Sequence, residues 1–544
     1  MHTEDAHSRA AELELLGVEL AGRYALRELL GVGNHGAVYE AYDRQRERLV
    51  AVKVLRESAP EALYRFKREF RMLSDVVHPN LVTLYELYVD EHFAFFTMRL
   101  VRSVDTMAWM RPGGVLDEGR VRSVFSQLVT GLAALHRVGR LHCDLKPSNA
   151  LVDESGRVKL ADFGLARELR RSDAEEGEVV GTPAYMSPEQ AAARELGPAS
   201  DWYAVGAMLY EALTGVPPFA PLDDLPLLMM KQVSDPAAPG ELVQGLPIDL
   251  ERLAMDLLAR REGDRPGAAE VARRLGAREL DGLDPGDEGY ALYGRETELG
   301  MLGAALWRTR NPEHADASVV FVEGQSGMGK SALIRHFADN IRRTAAAVVL
   351  AGRCYERESV PYKGLDVLID ALRLHLLDQA QRDDAPMWPE QMPALARLFP
   401  VLRDLPGLSS MPGSELDDPI AVRRNALGAL ADTLARIAEH APLVLQLDDA
   451  QWCDRDSARF IADLLRPSRR PRLTLVLSYR SEELQGSAAL LELRERLRTP
   501  AGELSIQRLR VEPLPPRVAR ALAFDCLAGR AEIDDLEETA DAIV

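Results

Sequence analysis

The sequence predicts two domains in succession: an α+β domain with a strand-rich N-terminal lobe and a helical C-terminal lobe, then an α/β domain with a parallel sheet. Short apolar runs broken by glycines and polar residues fill residues 23–55, a pattern typical of antiparallel strands, and two further strands are predicted near residues 81–89 and 93–100. Apolar residues recur at helical spacing over residues 121–138. An acidic, turn-rich linker at residues 277–292 separates this part from a second one, where an apolar strand runs into a glycine-rich loop.

The overall composition limits the classes of protein to which the chain can belong. At 544 residues it is too long for one hydrophobic core, and 47% hydrophobic residues exclude wholesale disorder. A formal charge of −19 at pH 7 argues against a general nucleic-acid binder, so we expect no direct nucleic-acid partner.

Cysteine spacing and hydropathy indicate a cellular compartment. The four cysteines are far apart in the sequence, which predicts a reducing environment with neither a zinc site nor a disulfide framework. No apolar run approaches the ~18 residues that a membrane span requires. We therefore expect a soluble, cytoplasmic protein without a membrane partner, and an irregular or partly helical, solvated leader over residues 1–22.

Lysine is rare in this chain and marks three motifs. Only seven of the 66 basic residues are Lys, and Lys53, Lys146 and Lys330 each stand in a motif that contacts phosphate elsewhere in proteins. The planar guanidinium of Arg is a poor substitute for a compact ammonium against phosphate oxygens. Lysine at these positions therefore favours nucleotide chemistry.

A glycine-rich hairpin and a helix precede the first chemical motif. Gly31, Gly33 and Gly36 let the backbone fold closely over phosphates, although a plain hairpin turn would also use them. The pattern between Pro60 and Asp75 predicts a helix that carries Glu69, which either pairs with Lys53 or is a solvated surface charge.

The segment from Asp144 to Asn149 carries the central chemistry of the first half. It places a carboxylate, the Lys146 ammonium and an amide at fixed spacing, and Asp162 follows before Phe163 and Gly164. These groups are the minimum needed to hold Mg-ATP and to take a proton from an acceptor hydroxyl. The spacing therefore predicts a phosphotransferase centre.

Residues 23–276, with the glycine loop, Lys53, the Asp144 segment and Asp162 in this order, resemble a eukaryotic-like Ser/Thr protein kinase domain of bilobal fold. The resemblance implies that Asp144, Lys146, Lys53 and Glu69 are the catalytic residues, that Asn149 and Asp162 hold Mg²⁺, and that protein Ser/Thr side chains are the substrates. It implies ATP contacts at Gly31, Gly33, Gly36, Val38, Ala51, Lys53, Met98, Leu100 and Leu151, although Met98 would serve equally as core filling.

One residue departs from the kinase pattern. Cys143 precedes Asp144 where the family commonly has Arg, and a thiol offers no bidentate cation for a phosphorylated loop. Activity is therefore expected not to require phosphorylation of the activation loop at Ser172. The resemblance also implies that Glu189 pairs with Arg265 and that Asp201 braces the segment before Asp144.

The second half contains a complete Walker A motif. The strand at Val319–Glu323 runs into Gly324, and Gly327, Gly329, Lys330 and Ser331 follow. Backbone N–H groups and the helix dipole of such a loop hold phosphates, with Lys330 on the outer phosphates and Ser331 on Mg²⁺.

A second strand, Leu443–Leu447, ends in Asp448 and Asp449, a Walker B candidate in which Asp448 reaches Mg²⁺ and Asp449 polarises water, or in which both acids merely cap a strand. Arg480 ends a third buried strand, where it would sense the γ-phosphate. Residues 293–510 resemble the AAA-like P-loop ATPases of the signal-transducing STAND group, which implies that ATP acts as a conformational switch.

The pattern of residues 511–544 predicts the start of a helical lid that is cut short.

ATP and Mg²⁺ are the expected cofactors of two separate sites, and nucleotide-dependent self-association is a further expectation. The first interpretation is a Ser/Thr protein kinase regulated by an appended ATPase. The alternatives are a nucleotide-switch scaffold with a weak kinase half, and a kinase that phosphorylates only itself.

Overall fold

A computed structural model describes thirteen stretches of the chain. These are residues 15–33, 36–55, 59–90, 92–163, 167–168, 181–219, 223–276, 292–311, 317–382, 388–412, 418–466, 471–498 and 504–528. One compact unit contains Met1–Ser58 and Arg65–Asp287, and the other contains Ala59–Tyr64 and Glu288–Val544.

The first unit begins with strands. They are β1 (Glu19–Leu20), β2 (Tyr24–Gly33), β3 (Gly36–Asp43), β4 (Arg48–Leu55), β5 (Leu84–Val89), β6 (Ala94–Met98), β7 (Ser103–Val104), β8 (Arg140–Leu141), β9 (Ala150–Asp153), β10 (Val158–Leu160) and β11 (Arg167–Glu168). Within this unit the main sheet has the order β1-β2-β3-β4-β6-β5 and is antiparallel throughout. Two small sheets, β10-β9-β7 and β11-β8, lie beside the helices of the C-terminal lobe.

The helices of the first unit lie mostly after the main sheet. They are α1 (Pro60–Leu73), α2 (Thr106–Met110), α3 (Glu118–Arg137), α4 (Pro188–Ala191), α5 (Pro198–Thr214), α6 (Asp224–Val233), α7 (Pro239–Leu242), α8 (Ile248–Leu257) and α9 (Ala268–Leu275). The centre of this lobe is α5, nearly all of whose side chains are buried, as a helix that is apolar on every face must be. Its left-handed C-cap at Gly215 (φ 84°) ends the helix.

The prediction of a solvated leader is wrong for its last residues. Leu20 pairs with Tyr24 as β1 joins β2, and its side chain is 1% exposed. It packs in the apolar layer of the main sheet together with Tyr39, Val52 and Phe95. The apolar residues just before the first predicted strand therefore complete a sheet edge, because burying them removes their surface from water.

The second unit is built on a parallel sheet, as predicted. Its strands are β12 (Ala317–Gly324), β13 (Val348–Arg353), β14 (Glu358–Ser359), β15 (Leu443–Asp448), β16 (Leu473–Arg480) and β17 (Leu504–Arg510). Five of them pair in parallel in the order β13-β15-β16-β12-β17. The central strands β12, β15 and β16 are buried almost throughout, as expected when helices cover both faces.

The helices of the second unit are α10 (Glu296–Arg310), α11 (Lys330–Arg343), α12 (Lys363–Arg382), α13 (Met392–Leu398), α14 (Pro419–His440), α15 (Arg455–Leu464), α16 (Ala488–Leu497) and α17 (Pro516–Ala528). Within the predicted lid, residues 529–544 lie outside the described residues. In the described part of the chain, every helix is too short or too polar to cross a lipid bilayer.

Candidate functional sites

Lys53, Glu69 and Asp162 form one charged cluster in the first unit. The Lys53 ammonium donates to both carboxylate oxygens of Glu69, at 2.7 and 2.9 Å, and to Oδ1 of Asp162 at 2.8 Å. These residues come from β4, α1 and the segment after β10, so three separate elements meet here. Burial of Glu69 and the nearby negative charge of Asp162 raise the pKa of Glu69 to about 7, although the Lys53 ammonium opposes this shift.

The predicted adenine residues lie on neighbouring strands of the same sheet. Val38 stands opposite Lys53 across β3 and β4, and Ala51 stands opposite Met98 across β4 and β6. Ala51 is buried, whereas Val38, Met98, Leu100 and Leu151 are each half-buried. Partly exposed apolar side chains of this kind can line an open pocket for a flat apolar ring.

The predicted phosphate loop is a hairpin whose described ends face each other. Gly31 pairs with Val38 and Gly33 pairs with Gly36, while residues 34 and 35 lie outside the described residues. A Cβ on Gly36 would lie 2.4 Å from the carbonyl oxygen of Val54. Any larger residue would therefore push the loop strand away from β4.

Asp144 is held between an ammonium and a hydroxyl. Lys146 donates to Oδ2 of Asp144 at 2.8 Å, and the Thr182 hydroxyl donates to Oδ1 at 3.0 Å. Lys146 also donates to the Thr182 oxygen at 3.1 Å. The carboxylate thus sits where a Ser or Thr hydroxyl of similar chemistry to Thr182 could approach it.

Asp201 braces the backbone before Asp144. Its carboxylate, 1% exposed, accepts from the amides of His142 and Cys143 at 2.9 Å each and contacts Nε2 of His136 at 2.7 Å. Cys143 has φ 64°, a left-handed conformation that strains a non-glycine residue by roughly 1–3 kcal/mol. The two hydrogen bonds from a buried carboxylate hold the chain in this conformation.

The Glu189–Arg265 ion pair predicted from the sequence is present and buried. Arg265 donates to the two carboxylate oxygens of Glu189 at 2.6 and 2.9 Å, and the Ser200 hydroxyl donates to Oε1 at 2.6 Å. The side chains of Arg265 and Glu189 are 0% and 2% exposed. Although burial opposes it, the Arg265 guanidinium lowers the pKa of Glu189.

The side chains of Asn149 and Asp162 fit a divalent cation. Nδ2 of Asn149 donates to the backbone oxygen of Asp144 at 2.8 Å, and Oδ1 accepts from the Ser148 hydroxyl at 3.4 Å. An amide oxygen has two lone pairs, so one of them can serve a metal ion. The backbone oxygen of Asn149 accepts from the amide of Ala161, so the two segments run side by side. Amide and carboxylate oxygens are the donor set that Mg²⁺ prefers.

Part of the predicted activation segment cannot be described. Gly164 and residues 169–180, with Ser172 and its neighbouring acids, lie outside the described residues. The thiol-bearing residue Cys143 is 7% exposed, and its backbone oxygen accepts from Nε2 of Gln190 at 2.7 Å. The expectation that Ser172 phosphorylation is unnecessary therefore stays a prediction.

The Walker A residues of the second unit form a loop between β12 and α11. Gly327 and Gly329 have φ 81° and 86°, and a Cβ on Gly324 would lie 2.6 Å from the oxygen of Val511. The Lys330 ammonium donates to the backbone oxygens of Gly324 and Gln325 at 2.8 and 2.7 Å. Ser331 follows in the first turn of α11, where backbone N–H groups are available to an anion.

The predicted Walker B acids differ in their surroundings. Asp448 ends β15, and its Oδ1 accepts from the Ser478 hydroxyl and from the amide of Asp449. Both oxygens of Asp449 are engaged, Oδ2 by Arg353 at 2.7 and 2.9 Å and Oδ1 by Gln451 at 2.8 Å. Although burial opposes it, these hydrogen bonds lower the pKa of Asp449. Asp448 is thus the better placed of the two for a metal ion.

Arg480 and Glu482 lie beside this loop. Arg480 stands opposite Gly324 in the sheet, and its Nε is 3.8 Å from Oδ1 of Asp449. Glu482 accepts from the backbone N–H of Ser326, inside the Walker A loop, at 2.9 Å. Glu482 and Arg353 were not predicted from the sequence, because neither belongs to a motif with fixed spacing.

Comparisons with known proteins agree with this division. The family model of the protein kinase domain matches residues 24–274, and that of the AAA ATPase domain matches residues 291–477. The chain is 34% identical over 252 residues to serine/threonine-protein kinase PknA of Mycobacterium tuberculosis, covering 45% of this chain and 57% of PknA. It is also 34% identical over 273 residues to serine/threonine-protein kinase pkn3 of Myxococcus xanthus, covering 47% of this chain and 50% of pkn3.

A third relative decides the family. Serine/threonine-protein kinase PknL of Mycobacterium tuberculosis is 32% identical over 302 residues, which cover 52% of this chain and 76% of PknL. The chain belongs to the serine/threonine protein kinase family. This family member combines the kinase domain with an AAA ATPase domain, and it spans about half the length of PknA and pkn3.

Proposed function

We propose that the kinase domain transfers the γ-phosphate of ATP to Ser and Thr hydroxyls of proteins. The observation that supports this most directly is the hydroxyl of Thr182 donating to Asp144 while Lys146 donates to both residues. A substrate hydroxyl that bound beside Thr182 would have the Asp144 base on one side and the Lys146 ammonium on the other.

The proposed roles follow from these contacts. Asp144 accepts or orients the proton of the acceptor hydroxyl, and Lys146 neutralises charge that develops on the transferred group. Lys53 binds nucleotide phosphates, and the Glu69 carboxylate holds the Lys53 ammonium in place. Asn149 and Asp162 would hold Mg²⁺, which supplies positive charge against the phosphates when bound.

We further propose that the AAA ATPase domain binds a second nucleotide and regulates the kinase domain in signal transduction. Lys330 and Ser331 would contact the phosphates and Mg²⁺, with Asp448 as the acidic metal ligand. Asp449 is then a positioning residue that acts through Arg353, and Arg480 senses the outer phosphate. The bonds from Lys330 to two carbonyls of its own loop support a conformational switch, because phosphates would have to draw this ammonium away.

Transfer of labelled phosphate to a generic basic protein tests the first proposal. We expect Asp144→Asn to lower the rate by about 10²–10⁴-fold, the usual contribution of a positioned base. Asp235→Asn is the matched control, since Asp235 forms an exposed ion pair with Arg260 and should not affect the rate. A wild-type rate in Asp144→Asn would overturn the proposal.

Lys330→Ala tests the regulatory role in the same assay. A nucleotide-dependent change in kinase rate or in oligomeric state, present in the wild type and lost in Lys330→Ala, is the expected result. If neither property changes, the second domain does not regulate the first. Mass spectrometry of the phosphorylated positions would separate transfer to other proteins from transfer within the chain alone.

A further inference from the structure

Lys231 lies directly against the segment that carries Thr182. It belongs to α6, its side chain is 1% exposed, and its ammonium donates to three backbone oxygens of that segment. The acceptors are Pro183 at 2.7 Å, Ala184 at 2.9 Å and Met186 at 2.7 Å. An ammonium has three N–H donors, so these three carbonyls satisfy all of them.

The same segment is hydrogen-bonded to the catalytic loop, which consists of residues 144–149. Thr182 contacts Asp144 and Lys146 through its hydroxyl, and its backbone oxygen accepts from the amides of Tyr185 and Met186 at 3.0 and 3.2 Å. Residues 182–186 therefore form one turn. Its first residue, Thr182, is hydrogen-bonded to the catalytic loop, and three of its backbone oxygens accept from Lys231.

Core filling does not account for Lys231. A methionine would occupy a similar volume without the cost of taking an ammonium out of water. An arginine, the usual cation of this chain, presents its donors in a planar fork and cannot aim three of them at three converging carbonyls. Burial lowers the pKa of Lys231 to about 7, whereas the carbonyl dipoles and the Tyr203 ring, 5.4 Å away, favour the charged form.

We infer that Lys231 is a positioning residue for the protein substrate. Its ammonium holds the backbone of residues 182–186 in one conformation, so that the part of the substrate flanking the acceptor hydroxyl meets a preformed surface beside Asp144. This inference rests on the proposed kinase function and adds to it a residue that determines how well the substrate binds.

The test compares Lys231→Met with Lys159→Met in the full-length chain. Lys159 makes the same kind of contact, donating to the backbone oxygens of Pro79 and Leu81 at 2.6 and 3.3 Å, away from the substrate segment. We expect Lys231→Met to raise the KM for a peptide substrate about tenfold, as for loss of hydrogen bonds to a charged group, with the KM for ATP unchanged. Lys159→Met should leave both KM values unchanged.

A second readout is independent of activity. Hydrogen exchange of the Tyr185 and Met186 amides should become faster in Lys231→Met and stay unchanged in Lys159→Met. If Lys231→Met does not fold, Lys231→Gln, which keeps two N–H donors, should show a smaller change in the same direction.

Several outcomes would overturn the inference. A peptide KM equal to that of the wild type, equal losses in both methionine variants, or unchanged exchange at Tyr185 and Met186 would each reject the role of Lys231. A wild-type chain that transfers no phosphate would instead reject the proposed function, and the exchange data would still show whether Lys231 holds the segment.

Discussion

The hydroxyl of Thr182 donates a hydrogen bond to the carboxylate of Asp144 at 3.0 Å, although 38 positions separate the two residues in the sequence. Lys146 bridges them by donating to both. These two contacts hold the Asp144 carboxylate in one orientation, in which it can meet an acceptor side chain that binds beside Thr182.

Removal of the Thr182 hydroxyl should therefore slow phosphate transfer. We expect Thr182→Val, which keeps the shape and loses the donor, to lower kcat by about tenfold, corresponding to one hydrogen bond to a charged group. Thr182→Ser keeps the hydroxyl and should stay within about threefold of the wild type. Steady-state kinetics with a peptide substrate measure both, and equal rates for the two variants would contradict the role assigned to this contact.

The rate of transfer should depend on pH through Glu69. Its pKa is raised to about 7 by burial, and only the ionised carboxylate pairs with the Lys53 ammonium. We expect kcat/KM to fall as the pH drops below about 7, since this quantity reports groups of the free enzyme. Burial lowers the pKa of His142, so this imidazole takes up its proton at a lower pH than the Glu69 carboxylate does.

The stability contribution of Glu69 should change in the opposite direction. A carboxyl group with a raised folded pKa keeps a proton that the unfolded chain has released, so its contribution is present below the unfolded value of 4.5 and is lost as the pH rises through about 7. Denaturation at several pH values measures this contribution to the free energy of unfolding.

For the kinetic prediction, a kcat/KM that stays constant from pH ~6 to ~8 would contradict the predicted ionisation of Glu69.

The Arg265–Glu189 pair should be important for stability. Arg265→Met leaves the buried Glu189 carboxylate without its cation, and breaking such a pair costs about 3–5 kcal/mol. Arg274→Met removes ion pairs with Asp256 and Glu270 at the surface, each of which contributes about 1 kcal/mol or less. Urea unfolding of the full chain measures this, read at the transition in which phosphate transfer is lost. We expect a lower urea midpoint for Arg265→Met than for Arg274→Met, and equal midpoints would contradict the prediction.

Glu482 should weaken nucleotide binding at the second site. Its carboxylate occupies the N–H of Ser326 and adds negative charge beside Lys330, in the loop where phosphates would bind. We expect Glu482→Gln to bind ATP about two- to fivefold more tightly than the wild type, a modest effect because the side chain is exposed and screened.

The affinity can be measured with a fluorescent ATP analogue in a Lys53→Met background, which weakens the first site. Glu483→Gln, one residue further on, removes the same charge without the contact to Ser326 and serves as the control. Weaker binding in Glu482→Gln would mean that this carboxylate assists the nucleotide instead of competing with it.

Several parts of the fold and of both sites followed from local patterns. The strand, glycine loop and helix around Lys330 need only the conformational freedom of Gly327 and Gly329 and the apolar run before them. The Lys53–Glu69 contact was one of two alternatives for Glu69, and burial of that side chain at 5% exposure excludes the solvated one. The leader was misjudged because Leu20 contributes to a sheet edge that only its partner strand reveals.

The sequence by itself determined the order of the two domains and the chemical groups at each nucleotide site, because motif residues close together in the chain share one loop or one helix end. Only the tertiary structure decided which further distant residues support them: Arg353 donates to Asp449, and Lys231 donates to the backbone oxygens of Pro183, Ala184 and Met186. It also brought together Cys354 and Cys453, which are far apart in the sequence. The hydrogen bond with Cys453 and burial together raise the pKa of the Cys354 thiol. Such contacts depend on how helices and strands pack, and no local spacing encodes that packing.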